Sequence, residues 1–315
     1  LDGTLFPYTT LFRSYLSNYI IGKLNLGDVE WRWIFGVEAF PAAAFYFLLI
    51  GNPLSPRWLM TRGRAEEARD ILERLGAENV AQEMQEIQES IKLTHHSIGE
   101  PFFRRMYLKP ILLAFLIAAF NQLSGINALL YYSTRIFELA GASADFARLQ
   151  SVIVGATNLV FTMVAIAIID HFGRKKLMLV GSLGYIISLG TVAWAFHAER
   201  GGAIVLGCFL LFIASHAFGQ GAVIWVFISE IFPTQVRAKG QALGSFTHWF
   251  MCAAISWTFP MLVGKADAPG ASQAGARVFA FYAGMMVLQL VWVILMMPET
   301  KGVPLEKIQK ELGIE

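Results

Sequence analysis

Long apolar segments separated by short polar ones dominate the chain. A run of about 20 apolar residues can cross the hydrocarbon core of a bilayer as an α-helix. Six runs predict full membrane-spanning helices, another predicts a seventh, and residues 15–22 resemble the end of one more. The predicted spans are residues 33–51, 111–132, 151–169, 177–196, 203–227, 243–263 and 278–297. The pattern therefore predicts an all-α membrane protein.

The composition agrees with this prediction. Of the 315 residues, 56% are hydrophobic and only 15% are charged, whereas soluble domains carry about 25% charged residues. The net charge is +2 and no basic run indicates nucleic-acid binding. Cys208 and Cys252 both lie in apolar spans, which favours packing over a disulfide or a metal site. We expect no cofactor and no metal.

The distribution of Lys and Arg predicts the topology. Basic residues concentrate after the first, third and fifth spans and in the tail, and such loops face the cytoplasm. The protein is therefore expected to be multi-pass in the plasma or inner membrane, with a cytoplasmic C-terminus. Apolar residues recur at helical spacing in the first of these loops, residues 52–106, which predicts two or three short amphipathic helices.

A cluster of polar side chains interrupts the span 111–132. It contains Asn121, Gln122, Asn127, Tyr131 and Tyr132. Unpaired carboxamides and phenols cost several kcal/mol each in hydrocarbon, so a chain that keeps them there is expected to use them. Uncharged donors and acceptors mixed with aromatic rings suit a neutral, hydroxyl-rich solute.

Two of these side chains can reach one solute only if their helix is interrupted. Gln122 and Asn127 are five residues apart, which corresponds to about 140° on an ideal helix. Gly125 lies between them. Broken helices line the midplane sites of many transporters, so we predict a break at Gly125.

Five motifs in order carry a family resemblance. NQLSGINALLYY at residues 121–132 resembles QQxxGINxxxYY, and PLSPRW at 53–58 resembles PESPRW. DHFGRK at 170–175, EIFPTQVR at 230–237 and PETKG at 298–302 resemble DxxGRR/K, ExFPxxxR and PETKG. The chain is thus similar to the sugar porters of the major facilitator superfamily, which have twelve helices in two bundles around a central site.

The resemblance implies a truncated major facilitator fold: part of helix 5, helix 6, the intracellular helical loop and helices 7–12. Residues 1–14 do not fit the helix-5 pattern, and we expect them to be foreign or artefactual. The expected domains are residues 15–51 as a remnant of the N-terminal bundle, 52–106 as a cytoplasmic loop, 107–298 as the C-terminal bundle, and 299–315 as a cytoplasmic tail. Residues 1–315 alone are expected to be inactive.

The resemblance also implies a set of substrate-binding residues. They are Gln122, Asn127 and Asn121 on helix 7, Asn158 on helix 8, Trp225 on helix 10, and Trp249 and His248 on helix 11. Asn121 stands where the family usually has Gln, and His248 where relatives often carry Asn or Gln. Asn158 could instead make an interhelical hydrogen bond, and Trp249 could face lipid.

Further positions are implied as gates and switches. Gly125, Tyr131, Tyr132 and Pro233 are expected to take part in gating, although small residues and aromatics also serve packing. A cytoplasmic charge network is expected from Arg57, Asp170, Arg174, Glu230 and Arg237, with solvated ion pairs as the alternative. Glu38 is the acid inside a span, so it is either a coupling group or an interfacial carboxylate.

Together these features predict transport of a neutral monosaccharide, hexose or pentose, by alternating access, either facilitative or proton-coupled. The expected partners are the sugar, H+ if transport is coupled, and the lipid bilayer, and the protein is expected to be a monomer. The alternatives are transport of another neutral polyol or solute, and a non-transporting sugar sensor. An enzyme is disfavoured because no paired acids or His/Asp constellation stand near the membrane surface.

Overall fold

A computed structural model describes residues 2–77, 79–97, 101–264 and 268–314, with no description of the side chains of 2–12, 90, 92–97, 144–145, 170 and 306. Within these residues, seven helical segments are long and apolar enough to cross a membrane. They are Gly27–Leu49, Arg105–Tyr131, Phe146–Ile169, Arg174–His197, Ala203–Ile231, Arg237–Val263 and Ala271–Leu295. The prediction of seven spans is confirmed, and most begin several residues before the predicted start because the helix continues through flanking polar residues.

Among the described residues of the N-terminal third, six α-helices are present. They are α1 (Asp2–Lys23), α2 (Glu30–Gly36), α3 (Ala39–Leu49), α4 (Pro56–Thr61), α5 (Ala65–Arg74) and α6 (Val80–Ser97). Helices α2 and α3 together form the first span. Helices α4 to α6 are the short helices that the spacing in residues 52–106 predicts, and α5 buries Ala68 and Leu72. At its start, the Arg64 guanidinium binds Glu67 at 2.6 Å and holds the pKa of that carboxyl below its usual range.

Helix α1 is continuous through residues 2–23, so the segment expected to be foreign forms its first turns. Near the middle of this helix, Arg13 Nη2 and Ser14 Oγ both donate to the Glu38 carboxylate, at 2.9 and 2.8 Å. The helix packs against α10, and Tyr15 Oη donates to the backbone oxygen of Leu130.

The described residues from 101 onwards contain ten α-helices. They are α7 (Leu108–Leu123), α8 (Ile126–Tyr131), α9 (Ser133–Leu139), α10 (Ala144–Phe172), α11 (Arg174–His197), α12 (Ala203–His216), α13 (Ala222–Ile231), α14 (Arg237–Val263), α15 (Ala271–Leu295) and α16 (Leu305–Leu312). A π-helical segment, Ala217–Gly221, joins α12 to α13. Two spans, α7–α8 and α12–α13, are therefore interrupted.

These helices form one packed bundle. Helix α7 packs on α14, and α11 packs on α12 and α15. A shared core of Leu, Ile, Val, Ala and Phe fills the interior, and Phe196 stacks on Phe279 with ring centroids 5.5 Å apart. A Cβ added to Gly181 would lie 3.1 Å from the Cα of Gly219, so small residues let α11 and the π segment approach closely, as is common between membrane helices.

The tail contains one element that the sequence analysis did not predict. Helix α16 buries Ile308 and Leu312 and packs against α13, while Lys109 Nζ donates to the backbone oxygen of Glu311 at 2.9 Å. The apolar residues of α16, Leu305, Ile308 and Leu312, recur at helical spacing, so the signal is present in the sequence, in a segment assigned only to a tail.

Candidate functional site

The predicted break between α7 and α8 is confirmed. Gly125 adopts a left-handed conformation with φ of 82°, and its N–H donates to the backbone oxygen of Gln122 at 2.8 Å. The Ser124 hydroxyl donates to the backbone oxygen of Asn121 at 2.6 Å and accepts from the N–H of Ile126 at 3.3 Å. The side chain of Ser124 therefore satisfies backbone groups that the interruption leaves without helical partners.

The break joins side chains that a straight helix would separate. Asn127 Nδ2 donates to Gln122 Oε1 at 2.8 Å, and Gln122 Nε2 donates to Asn121 Oδ1 at 3.0 Å. The same Nε2 lies 3.2 Å from each ring nitrogen of His248. Gln122 is fully buried, and it connects the polar residues of α7 and α8 to α14.

Aromatic rings form the adjoining wall. The His248 ring lies between two indoles, with centroids 5.3 Å from Trp225 and 5.1 Å from Trp249. Trp225 is half-buried, and its backbone oxygen accepts from Gln241 Nε2 at 3.1 Å. Helices α13 and α14 thus present three neighbouring aromatic rings beside the carboxamides.

These two walls enclose a cavity of about 490 Å³, within the usual range of roughly 300–1,000 Å³ for small-molecule sites. All seven predicted substrate-binding residues and Tyr131 line it. The lining consists of Ser14, Asn121, Gln122, Ile126, Asn127, Leu130, Tyr131, Asn158, His216, Gly221, Ile224, Trp225, His248 and Trp249. This described lining contains no Asp, Glu, Lys or Arg. Asn158 and His248 lie near the middle of their spans, which places the cavity at mid-depth.

Asn158 lines the cavity and keeps a buried acceptor that no described residue pairs with. The residue is 2% exposed, and its Oδ1 is buried without a hydrogen-bond partner among the described residues. Buried polar atoms are paired in the large majority of cases. Among the described residues, the interhelical bond considered as an alternative does not engage this oxygen.

The residues expected to gate occupy different places. Tyr131 is exposed and lines the cavity, whereas the Tyr132 hydroxyl donates to the backbone oxygen of Ser256 at 2.9 Å and its ring stacks on Phe259. Pro233 lies in the turn after α13 and does not bend that helix. The interruption near Trp225 comes instead from Gly219, whose ψ of −106° is non-helical.

His216 is a cavity residue that the sequence analysis missed. It lies in the predicted span 203–227, and an ionisable residue inside a span is a functional candidate by default. That rule would have identified it. Ser14 was missed because it falls in the segment excluded as foreign, and Gly221 because a glycine contributes only backbone to the lining.

A second polar cluster lies at the other end of α13. Arg174 Nη2 donates to Glu230 Oε1 at 2.9 Å, and Thr300 Oγ1 donates to Glu230 Oε2 at 2.6 Å. The Glu299 carboxylate accepts from the backbone N–H groups of Arg174 and Lys175 at 2.9 and 3.1 Å, so a negative charge meets the positive end of the α11 dipole. Glu299 and Thr300 were missed as members, although the PETKG motif contains both.

Other residues assigned to the charge network lie differently. Arg237 Nε donates to the backbone oxygen of Phe232 at 3.4 Å and lines a cleft with Glu230. Arg57 is an exposed residue of α4, and the side chain of Asp170 lies outside the described residues. Glu38 is not among the cavity residues, but its partner Ser14 is.

Substituting Gly125 should damage both stability and solute binding. An alanine Cβ would lie 2.5 Å from Cδ2 of Tyr282, which is 4% exposed, and would also face the cost of positive φ. Gly141→Ala is the matched control, because Gly141 has φ of 89° with nothing within 4 Å of its added Cβ. Overpacking costs about 1–3 kcal/mol, so a thermal-shift assay should give a Tm for Gly125→Ala roughly 2–10 °C below that of the control. Equal Tm values for Gly125→Ala and Gly141→Ala would contradict a steric clash between residue 125 and Tyr282.

Interrupted helices around a mid-span cavity, whose described lining holds no Asp, Glu, Lys or Arg, define a membrane protein with a polar internal cavity. A family profile described as "Sugar (and other) transporter" matches residues 5–312. The chain therefore belongs to the sugar (and other) transporter family.

Individual relatives agree with this assignment. The chain is 36% identical over 300 residues to the D-xylose-proton symporter of Escherichia coli (strain K12), covering 94% of this chain and 60% of that protein. It is 33% identical over 282 residues to the arabinose-proton symporter of Bacillus subtilis (strain 168), covering 89% and 59%. The chain thus spans about 60% of the length of these relatives.

A solved structure gives the same result for the fold. The structure of the proton:xylose symporter XylE bound to 6-bromo-6-deoxy-D-glucose superposes with a TM-score of 0.75 at 35% identity, covering 97% of this chain and 65% of that chain. The major facilitator fold is therefore shown, and this chain corresponds to part of it.

Proposed function

We propose that this protein carries a neutral monosaccharide, a hexose or a pentose, across a membrane by alternating access. The observation that carries the proposal is the cavity lining, which combines four carboxamides, two indoles and two imidazoles without a formal acid, Lys or Arg. Carboxamides can donate to and accept from hydroxyl groups, and an indole offers a flat apolar face and one N–H donor. A charged solute would leave its charge uncompensated there.

The two interruptions support the transport mechanism. Asn127 and Tyr131 lie on α8 and Trp225 lies on α13, each in the short helix that follows a break. The breaks at Gly125 and Gly219 are points about which these short helices can shift against α7 and α12, and such a shift would repack the core that both helices share. Solute contacts that differ between two positions of the short helices would bias the equilibrium between the states, as alternating access requires.

The names of the relatives support a sugar and a proton as partners, because both carry "proton" and a pentose in their names. Glu38 is the acid to test for coupling. Its carboxylate accepts from Ser14, which lines the cavity but belongs to the segment 1–14 expected to be foreign, so the candidacy of Glu38 rests on its position inside a span.

We also propose the membrane location, the topology, the oligomeric state and the domain division. The distribution of basic residues supports the cell membrane, plasma or inner, with a cytoplasmic C-terminus, and we propose a monomer surrounded by lipid bilayer. We retain the division into residues 1–14, 15–51, 52–106, 107–298 and 299–315. We propose that residues 1–315 alone do not transport sugar. Sugar uptake into vesicles that contain only this chain would contradict this.

We propose that the second polar cluster, which contains Arg174, Glu230, Glu299 and Thr300, stabilises one of the two states of alternating access. Glu230 is 26% exposed and Arg174 10%, so Glu230→Gln would remove one carboxylate from an ion pair with a largely buried guanidinium. Hydrogen bonds to charged groups contribute about 1.5–3 kcal/mol, so the Tm should fall by roughly 3–10 °C. Glu67→Gln is the control, because its ion pair with Arg64 is exposed and should change the Tm little. Equal shifts in Tm for Glu230→Gln and Glu67→Gln would contradict a stabilising role of the Arg174–Glu230 ion pair.

A calorimetric binding panel tests the proposed function, using protein expressed from the full open reading frame that contains these residues. We expect D-xylose or D-glucose to bind, with D-glucuronate and D-glucosamine at least tenfold weaker because the lining offers them no opposite charge. A preference for a charged solute, or for xylitol over every sugar, would refute the proposal. Uptake driven by an imposed proton gradient distinguishes symport from facilitated diffusion.

A further inference from the structure

A chain of buried hydrogen bonds runs through the bundle and ends at the cavity. Gln289 Nε2 donates to Ser182 Oγ at 2.8 Å, and Gln220 Nε2 donates to Gln289 Oε1. Tyr185 Oη donates to Gln220 Oε1 at 3.1 Å and lies 2.6 Å from Nδ1 of His216. Four of the five residues are fully buried and His216 is 7% exposed.

The direction of these bonds fixes the tautomer of His216. A phenol has one O–H, and Tyr185 uses it on the carbonyl oxygen of Gln220. Its oxygen can therefore only accept from His216, so Nδ1 must carry the proton. In a neutral imidazole the other nitrogen, Nε2, is then an acceptor with a free lone pair.

Nε2 of His216 faces the cavity. His216 and Gly221 both line it, and a Cβ added to Gly221 would lie 3.4 Å from Nε2. Gly221 therefore leaves this nitrogen uncovered. His216 is 7% exposed, and among the described residues its ring is hydrogen-bonded through Nδ1 to Tyr185, which leaves Nε2 as the ring nitrogen available to the cavity.

We infer that His216 is a further solute-binding residue, whose Nε2 accepts a hydrogen bond from one sugar hydroxyl. This inference rests on the proposed function and extends it to specificity. Tyr185, Gln220 and Gln289 are positioning residues that hold the imidazole in its accepting form. The site thereby requires a donor at one position of the solute, and a hydroxyl meets this requirement whereas fluorine does not.

Calorimetric binding of monodeoxy and monofluoro sugars to full-reading-frame protein tests this inference. In the wild type, the deoxy and fluoro analogues at one hydroxyl position should both bind about tenfold more weakly than the parent sugar. In His216→Phe, the parent should weaken about tenfold and these two analogues should lose nothing further. A purely structural role would weaken every sugar by the same factor, and that result would overturn the inference.

Two conservative variants separate the functions of the two ring nitrogens. His216→Asn places an amide near Nδ1 and should bind sugar as weakly as His216→Phe, whereas the longer amide of His216→Gln reaches the position of Nε2 and should restore most of the binding. His197→Phe is the control, because His197 bonds Gln273 and does not line the cavity. Equal binding by the Asn and Gln variants would contradict the assignment.

The inference and the proposed function fail in different ways. If the wild type binds no neutral sugar, the proposed function is wrong. If the wild type binds sugar and His216→Phe retains the wild-type discrimination between parent and analogues, only the role of His216 is wrong.

Discussion

Gln122→Ala should weaken sugar binding by about 100-fold or more. Its side chain donates to Asn121, accepts from Asn127 and contacts His248, so the substitution removes one solute contact and disorganises three others. Each unsatisfied buried polar group costs about 1–3 kcal/mol, and 1.4 kcal/mol is a factor of ten in Kd. Calorimetric titration with the best-binding sugar measures the effect.

Gln150→Ala is the control for this substitution. Gln150 is a 1%-exposed glutamine of α10, but it is not among the residues that line the cavity. The variant loses a buried carboxamide of the same type, and its Kd should stay within about twofold of the wild-type value. A similar loss in both variants would show that damage to the bundle, rather than to the site, weakens binding.

Trp225→Ala should weaken binding by roughly 10- to 100-fold, because burial of a large apolar side chain contributes about 1.5–3 kcal/mol. The indole lines the cavity and supports the His248 ring. Trp225→Phe keeps a flat aromatic face and should lose about fivefold or less. Kd values from the same titrations measure both effects.

Trp257→Ala is the control for the indole. Trp257 is a 72%-exposed residue of α14 and does not line the cavity, so its removal should leave the Kd unchanged. If Trp225→Ala keeps the wild-type affinity, the aromatic side of the cavity does not contribute to sugar binding.

Hydrophobic patterning was sufficient for much of the fold. All seven spans follow from runs of apolar residues, because a bilayer demands helices of this length and polarity. The break at Gly125 also follows from the sequence, since Gln122 and Asn127 could not otherwise converge. Pattern alone did not reveal the π segment, because a local change of hydrogen-bond register leaves little periodic signal, whereas the spacing of Leu305, Ile308 and Leu312 does carry the period of α16.

The site was only partly accessible from the sequence. The carboxamides and indoles were found through a motif and a family resemblance, and they meet in one cavity. The chain that ends at His216 was not found, because its residues lie on α11, α12, the π segment and α15, and only His216 stands out alone, as an ionisable residue inside a span. Its meaning depends on the direction of hydrogen bonds between elements, which only three-dimensional placement reveals.

Counterflow in proteoliposomes tests the central claim most directly. Vesicles containing the protein from its full open reading frame are loaded with unlabelled D-xylose or D-glucose and diluted into the labelled sugar. Transport by alternating access predicts a transient accumulation of label that Gln122→Ala abolishes and Gln150→Ala retains. No accumulation of any neutral monosaccharide by wild-type protein that binds the sugar would contradict the account.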